Sequence, residues 1–98
     1  IANAFRDYDV LFMANHGITV AGTSVAHAWE QLYFLNRACQ AQVLAMSTGR
    51  ALKKIPESIV KSVAQQIETE GSGGAANHHR HFTALKRVLA PEQPNYRN

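Results

Sequence analysis

Asn15-His16-Gly17 separates two short β-type runs, and a long helical pattern follows directly after them. That order limits the folds open to the chain more than its composition does. Asn and Gly both tolerate the left-handed backbone that a tight hairpin turn needs. The run before the turn, Val10-Leu11-Phe12-Met13, is continuously apolar. Such a run predicts a strand covered on both faces rather than one with a wet side. The run after it alternates Ile18 and Val20 with Thr19 and Ala21, and Gly22 breaks it. His16 sits at the tip, where backbone geometry rather than a loose loop aims the ring. A neutral imidazole held in that way suits a divalent metal ion.

The helix is the firmest local feature. Thr23 or Ser24 can cap it, because a side-chain oxygen there accepts an otherwise unpaired backbone N–H. Val25, Trp29, Leu32, Tyr33, Leu35, Cys39, Val43, Leu44 and Met46 include a recurrence at three and four residues. Alanines between them favour the helix and allow close packing. Gly49 is a natural C-terminal stop. A helix of about 25 residues, over roughly 24–50, spans about 37 Å. That is longer than a hairpin can cover, so the pattern implies a larger sheet than these residues contain. Trp29, Leu32, Val43 and Leu44 are expected to face that sheet.

The second half carries weaker signals. Pro56 can open a helix running to about Ile67, with Ile59, Val60, Val63 and Ile67 as its apolar stripe. Residues 68–76, which include Glu70-Gly71-Ser72-Gly73-Gly74, predict a flexible connector. A last helix is expected through Phe82, Leu85, Val88 and Leu89, stopping before Pro91, and the tail beyond is expected to be extended. His78 and His81 have helical i, i+3 spacing. They follow the glycine-rich stretch without a neighbouring carboxylate or cysteine, so a solvated helix start is expected. His27 is read as facing outward, with no role.

Charge and composition exclude several classes. The net charge of +3 comes from scattered residues, such as Arg50, Lys53 and Lys54, or Lys86 and Arg87. No basic stripe with interleaved aromatics is present, which argues against a nucleic-acid binder. The sequence holds neither a GxGxxG nor a GxxxxGKS phosphate cradle. No apolar run approaches the ~20 residues of a membrane span. The single cysteine, Cys39, cannot form an internal disulfide and reads as a small apolar helix residue. No secretory leader pattern is visible from Ile1 onward, so a cytoplasmic location is expected.

The stretch from Leu11 to Gly49 resembles the class II aldolase/adducin family: an apolar strand, Asn15-His16-Gly17, a second strand ending at Gly22, a cap and a long helix. Phe82-Thr83-Ala84-Leu85-Lys86-Arg87-Val88-Leu89, followed by Pro94-Asn95-Tyr96-Arg97, looks like the C-terminal end of many bacterial members. The resemblance implies an α/β fold, a three-layer α/β/α domain around a largely antiparallel sheet. Residues 1–98 would form its C-terminal part. It further implies zinc, or another divalent metal, held by three histidines, with His16 as the third. The two earlier histidines and the family's acidic proton-transfer residue have no counterpart here, so no catalytic residue is assigned. The implied activity is that of a metal-dependent lyase. Its substrate would be a small hydroxy-carbonyl compound, sugar-like and phosphorylated or not, cleaved through a metal-stabilised enediolate. Two alternatives share the fold: a non-catalytic adducin-like scaffold, and an iron-dependent decarboxylase or oxygenase. The family also implies a homo-oligomer, a tetramer. Tyr96 lies where some members send a tyrosine into a neighbouring subunit's site, and a plain surface tyrosine is the alternative. With one ligand of about three, these 98 residues are not expected to be active alone.

Overall fold

β1 (Val10–Met13) and β2 (Gly17–Val20) form an antiparallel hairpin that pairs Val10 with Val20, Leu11 with Thr19, Phe12 with Ile18 and Met13 with Gly17. The computed structural model describes residues 8–97, without the side chains at 68, 70–77, 96 and 97. Asn15 (φ 60°) and Gly17 (φ 102°) take the left-handed conformations expected of this turn. The ladder is extended by the Ala21 N–H, which donates to the Asp9 carbonyl at 2.7 Å. β1 was expected to be covered on both faces. Instead Phe12 is 62% exposed, while Val10, Leu11 and Met13 are half-buried. A sheet of two short strands has no further strand or second layer to close over that ring.

α1 (Val25–Ser47) begins where the sequence chemistry predicts. Ser24 is extended (φ −154°, ψ 164°), and its hydroxyl accepts the His27 N–H at 3.1 Å. The helix ends on Thr48, and Gly49 follows at φ 71° with its N–H on the Met46 carbonyl at 3.2 Å. At Gly22 the backbone approaches α1 closely. A β-carbon there would lie 2.7 Å from the Ala28 nitrogen and 3.0 Å from its α-carbon. Only glycine lets the strand's end and the helix's first turn come so near.

α2 (Glu57–Leu89) is one helix where two helices joined by a connector over 68–76 were expected. The glycines at 71, 73 and 74 fall within its span. Each costs about 1 kcal/mol relative to alanine. Good helix formers on either side, and the cooperativity of the amide ladder, offset that cost. Glu57 in the first turn and Lys86 and Arg87 in the last complement the helix dipole. The tail, expected to be extended, turns through a 3-10 helix at Pro94–Arg97.

α1 does not lie on the sheet through Trp29, Leu32, Val43 and Leu44. Trp29 turns toward α2, and Val43 and Leu44 are exposed. The mismatch is one of length: four-residue strands run about 13 Å, whereas a 23-residue helix runs about 34 Å. The two helices meet instead where residues 27–34 of α1 face residues 78–82 of α2. Ala26 is the one buried apolar residue among those described. The chain exposes 8525 Å², against about 5,500 Å² for a compact monomer of 10.8 kDa. An α/β class is therefore present as a hairpin and helices, and the described residues do not include a third layer.

Candidate functional site

His16 closes the hairpin turn. Its backbone N–H donates to the Met13 carbonyl at 3.2 Å, which fixes where its side chain leaves the turn. The side chain is exposed, and none of the described residues hydrogen-bonds its ring. At Gly17 a β-carbon would meet nothing within 4 Å, so that glycine serves conformation rather than space. Either imidazole nitrogen of His16 is thus open to bind a metal ion, with the ring proton on the other. Among the described residues no group of three or more His, Cys, Asp or Glu side chains converges as a metal site. His16 fits a metal as one donor, and further donors must come from outside the described residues. The Tyr96 side chain lies outside them as well.

His27, His78 and His81 have structural roles that local sequence could not reveal. His27 occupies the third position of α1 and reaches back to the cap. Its Nδ1 accepts the Thr23 N–H at 3.2 Å and lies 3.2 Å from the Thr23 hydroxyl. This differs from a capping box by one residue: the third-position side chain, here imidazole in place of carboxylate, takes the N–H of Thr23 just before the cap instead of that of Ser24 itself. An accepting Nδ1 puts the ring proton on Nε2, which is 3.0 Å from the Gln31 amide. The amide atom placed there is the nitrogen, itself a donor, while the amide oxygen is buried without a partner; turning the amide over brings that oxygen to the ring N–H and satisfies both groups. So His27, read as outward and idle, anchors the start of α1.

His78 and His81 do not lie at a solvated helix start. They sit inside α2 and face α1. His78 stacks on His27 with centroids 5.1 Å apart. The His81 ring meets Trp29 and Tyr33 edge to face at 5.3 and 5.2 Å, and its Nδ1 is 3.3 Å from a Glu30 carboxylate oxygen. That carboxylate is 51 residues away in sequence, so no local spacing could have signalled it. Arg37 over Tyr33 and Lys86 over Phe82 add cation–π contacts at 4.6 and 5.2 Å. These rings hold the two helices together and leave His16 as the free imidazole of the hairpin.

The chain belongs to the class II aldolase/adducin family. Residues 1–43 match the class II aldolase and adducin N-terminal domain, a stretch that takes in the hairpin, His16 and most of α1. A protein of Pseudomonas aeruginosa, named provisionally as an aldolase class 2 protein, is 34% identical over 92 residues, which is 89% of this chain and 34% of its own. A Caulobacter vibrioides protein with a similar provisional name is 34% identical over 88 residues, covering 89% of this chain and 33% of its own. The chain spans about a third of the length of these curated relatives. No solved structure matches it significantly.

Proposed function

We propose that the protein to which these residues belong is a metal-dependent lyase of the aldolase type. It would act on a small hydroxy-carbonyl, sugar-like substrate, phosphorylated or not. The observation that carries this reading is His16, a free imidazole on a fixed turn inside the family-matched stretch. His16 would be one ligand of zinc or another divalent ion. Such an ion supplies Lewis-acid polarisation of carbonyl and hydroxyl oxygens. The chain's own contribution is positional. The left-handed Asn15 and Gly17 and the Met13–His16 turn bond hold the imidazole, and the close approach of Gly22 to Ala28 ties the hairpin to α1.

The same reading has these residues as the C-terminal part of one three-layer domain, completed by further sheet and by the remaining ligands. It further takes the protein to be cytoplasmic and to assemble with copies of itself. Among the described residues no helix is long and apolar enough to cross a membrane.

The test is the metal content of the intact protein and of its His16→Ala variant. Loss of one ligand should lower affinity at least tenfold, since even outer-shell partners of a ligand contribute that much. Folding should be nearly unchanged, because an exposed turn side chain adds little to packing. Equal metal stoichiometry in the variant rules out His16 as a ligand. A metal-free wild type, unaffected by chelators, would favour the adducin-like scaffold. Bound redox-active iron would favour the decarboxylase or oxygenase.

A further inference from the structure

The outward side of α2 gathers basic side chains that stand several residues apart in sequence. At 100° per residue, His79, Arg80, Thr83, Ala84 and Arg87 fall within an arc of about 140°. Its centre lies opposite His78, His81 and Phe82, the side chains that meet α1. All five residues are exposed, and they line an open groove of about 330 Å³. Arg80 and Arg87 stand about 10 Å apart along the axis, with Thr83 and the small Ala84 as a low floor between them. No carboxylate answers these charges. The positions one turn from either arginine hold Ala76, Asn77, Thr83, Ala84, Ala90 and Pro91. Among the described residues none hydrogen-bonds or forms an ion pair with the side chain of Arg80, Thr83 or Arg87. Other cations of the helices are engaged: Lys61 by Glu57, Arg37 by the Tyr33 ring and Lys86 by the Phe82 ring.

We propose that this face of α2 binds the phosphate group of a small phosphorylated molecule. The inference does not rest on the metal reading. The donor count selects phosphate over carboxylate. Two guanidinium forks, the Thr83 hydroxyl and one N–H of the His79 ring offer about six donors to a single anion. A carboxylate has two oxygens with about four lone-pair sites. A phosphate monoester has three acceptor oxygens and a charge near −2. Each planar guanidinium engages two of those oxygens at once. Arg80 and Arg87 can thus lean in from either end and clasp one phosphate over Ala84, where a longer side chain would fill the groove. The groove's volume stands at the lower end of the roughly 300–1,000 Å³ of small-molecule sites, which suits a compact charged group.

Calorimetric titration of the intact protein with inorganic phosphate at low ionic strength tests the site. Phosphate should bind with a Kd of about 1 mM, within the ceiling for a five-atom ligand, and acetate at least tenfold more weakly. Arg80→Gln combined with Arg87→Gln should weaken phosphate binding at least tenfold, with the helical circular dichroism unchanged. Arg87→Lys, which keeps the charge and loses the fork, should weaken it about threefold. Lys53→Gln combined with Lys54→Gln removes the same charge from another place and should leave the affinity within about twofold. The same titration in the His16→Ala variant separates this phosphate from any held by a metal ion, and binding should persist there. No heat from phosphate at 20 mM overturns the proposal. So does an equal affinity for acetate, or an equal loss in the lysine variant, since the anion then answers only to net charge. Binding that vanishes with His16→Ala and survives loss of both arginines would place the phosphate elsewhere and overturn it too.

Discussion

Gly22→Ala is the substitution whose outcome the structure fixes most tightly. The added β-carbon would stand 2.7 Å from the Ala28 nitrogen, 3.0 Å from its α-carbon and 3.2 Å from its β-carbon. Two of those three atoms are backbone, held by the first turn of α1, where the Ala28 N–H bonds the Ser24 carbonyl at 2.9 Å. No rotamer change can open the space, so the strand end or the helix must move. Overpacking of this kind costs about 1–3 kcal/mol. Alanine also restricts the unfolded chain, which returns about 0.4–1 kcal/mol. The net expectation is a destabilisation of about 1–2 kcal/mol. Urea unfolding of the intact protein reads it as a lower midpoint at unchanged slope. A variant as stable as the wild type would refute the close approach. Rescue by Ala28→Gly would refute the mechanism, because the Ala28 side chain would then be the obstacle instead of its backbone.

Three further outcomes follow from the packing. Ser24→Ala removes the oxygen that accepts the His27 N–H and should cost about 1 kcal/mol in urea unfolding. Trp29→Ala would cost about 3–5 kcal/mol if the ring were fully buried; being half-buried against α2, it should cost about 2 kcal/mol. A double-mutant cycle of Trp29→Ala with His81→Ala should show coupling of about 0.5–1 kcal/mol, and strict additivity would mean that the two rings do not meet.

Local chemistry was legible; the partners were not. The hairpin turn could be read because Asn15 and Gly17 announce left-handed backbone. The ends of α1 could be read because Ser24 and Gly49 are cap residues. The cap network missed His27, since imidazole is not the usual third-position acceptor and only the bond from Thr23 identifies it. The His81 environment was invisible because Glu30, Trp29 and Tyr33 come from the other helix. The glycines near residue 72 signalled a break that helix-forming sequence on both sides overrode. The expected burial of β1 and of the α1 face presumed a larger sheet, and the described residues do not supply one. Of the proposed site, the turn that carries His16 was readable from three adjacent residues. No second donor beside His16 was legible, and among the described residues no group of three or more His, Cys, Asp or Glu side chains converges.

The single crossing of the two helices has a mechanical consequence. Ring contacts fasten α2 near residues 78–82, while its other end begins at Glu57. About 20 residues, some 30 Å of helix, thus extend from the fulcrum as a lever arm. A rotation of 10° at the rings shifts each ring edge by a fraction of an ångström, yet it swings the arm's tip by about 5 Å at that length. Small adjustments between Trp29 and His81 are thereby magnified at Ile59 and along the loop that precedes it. The position of that tip is set by whatever it rests against.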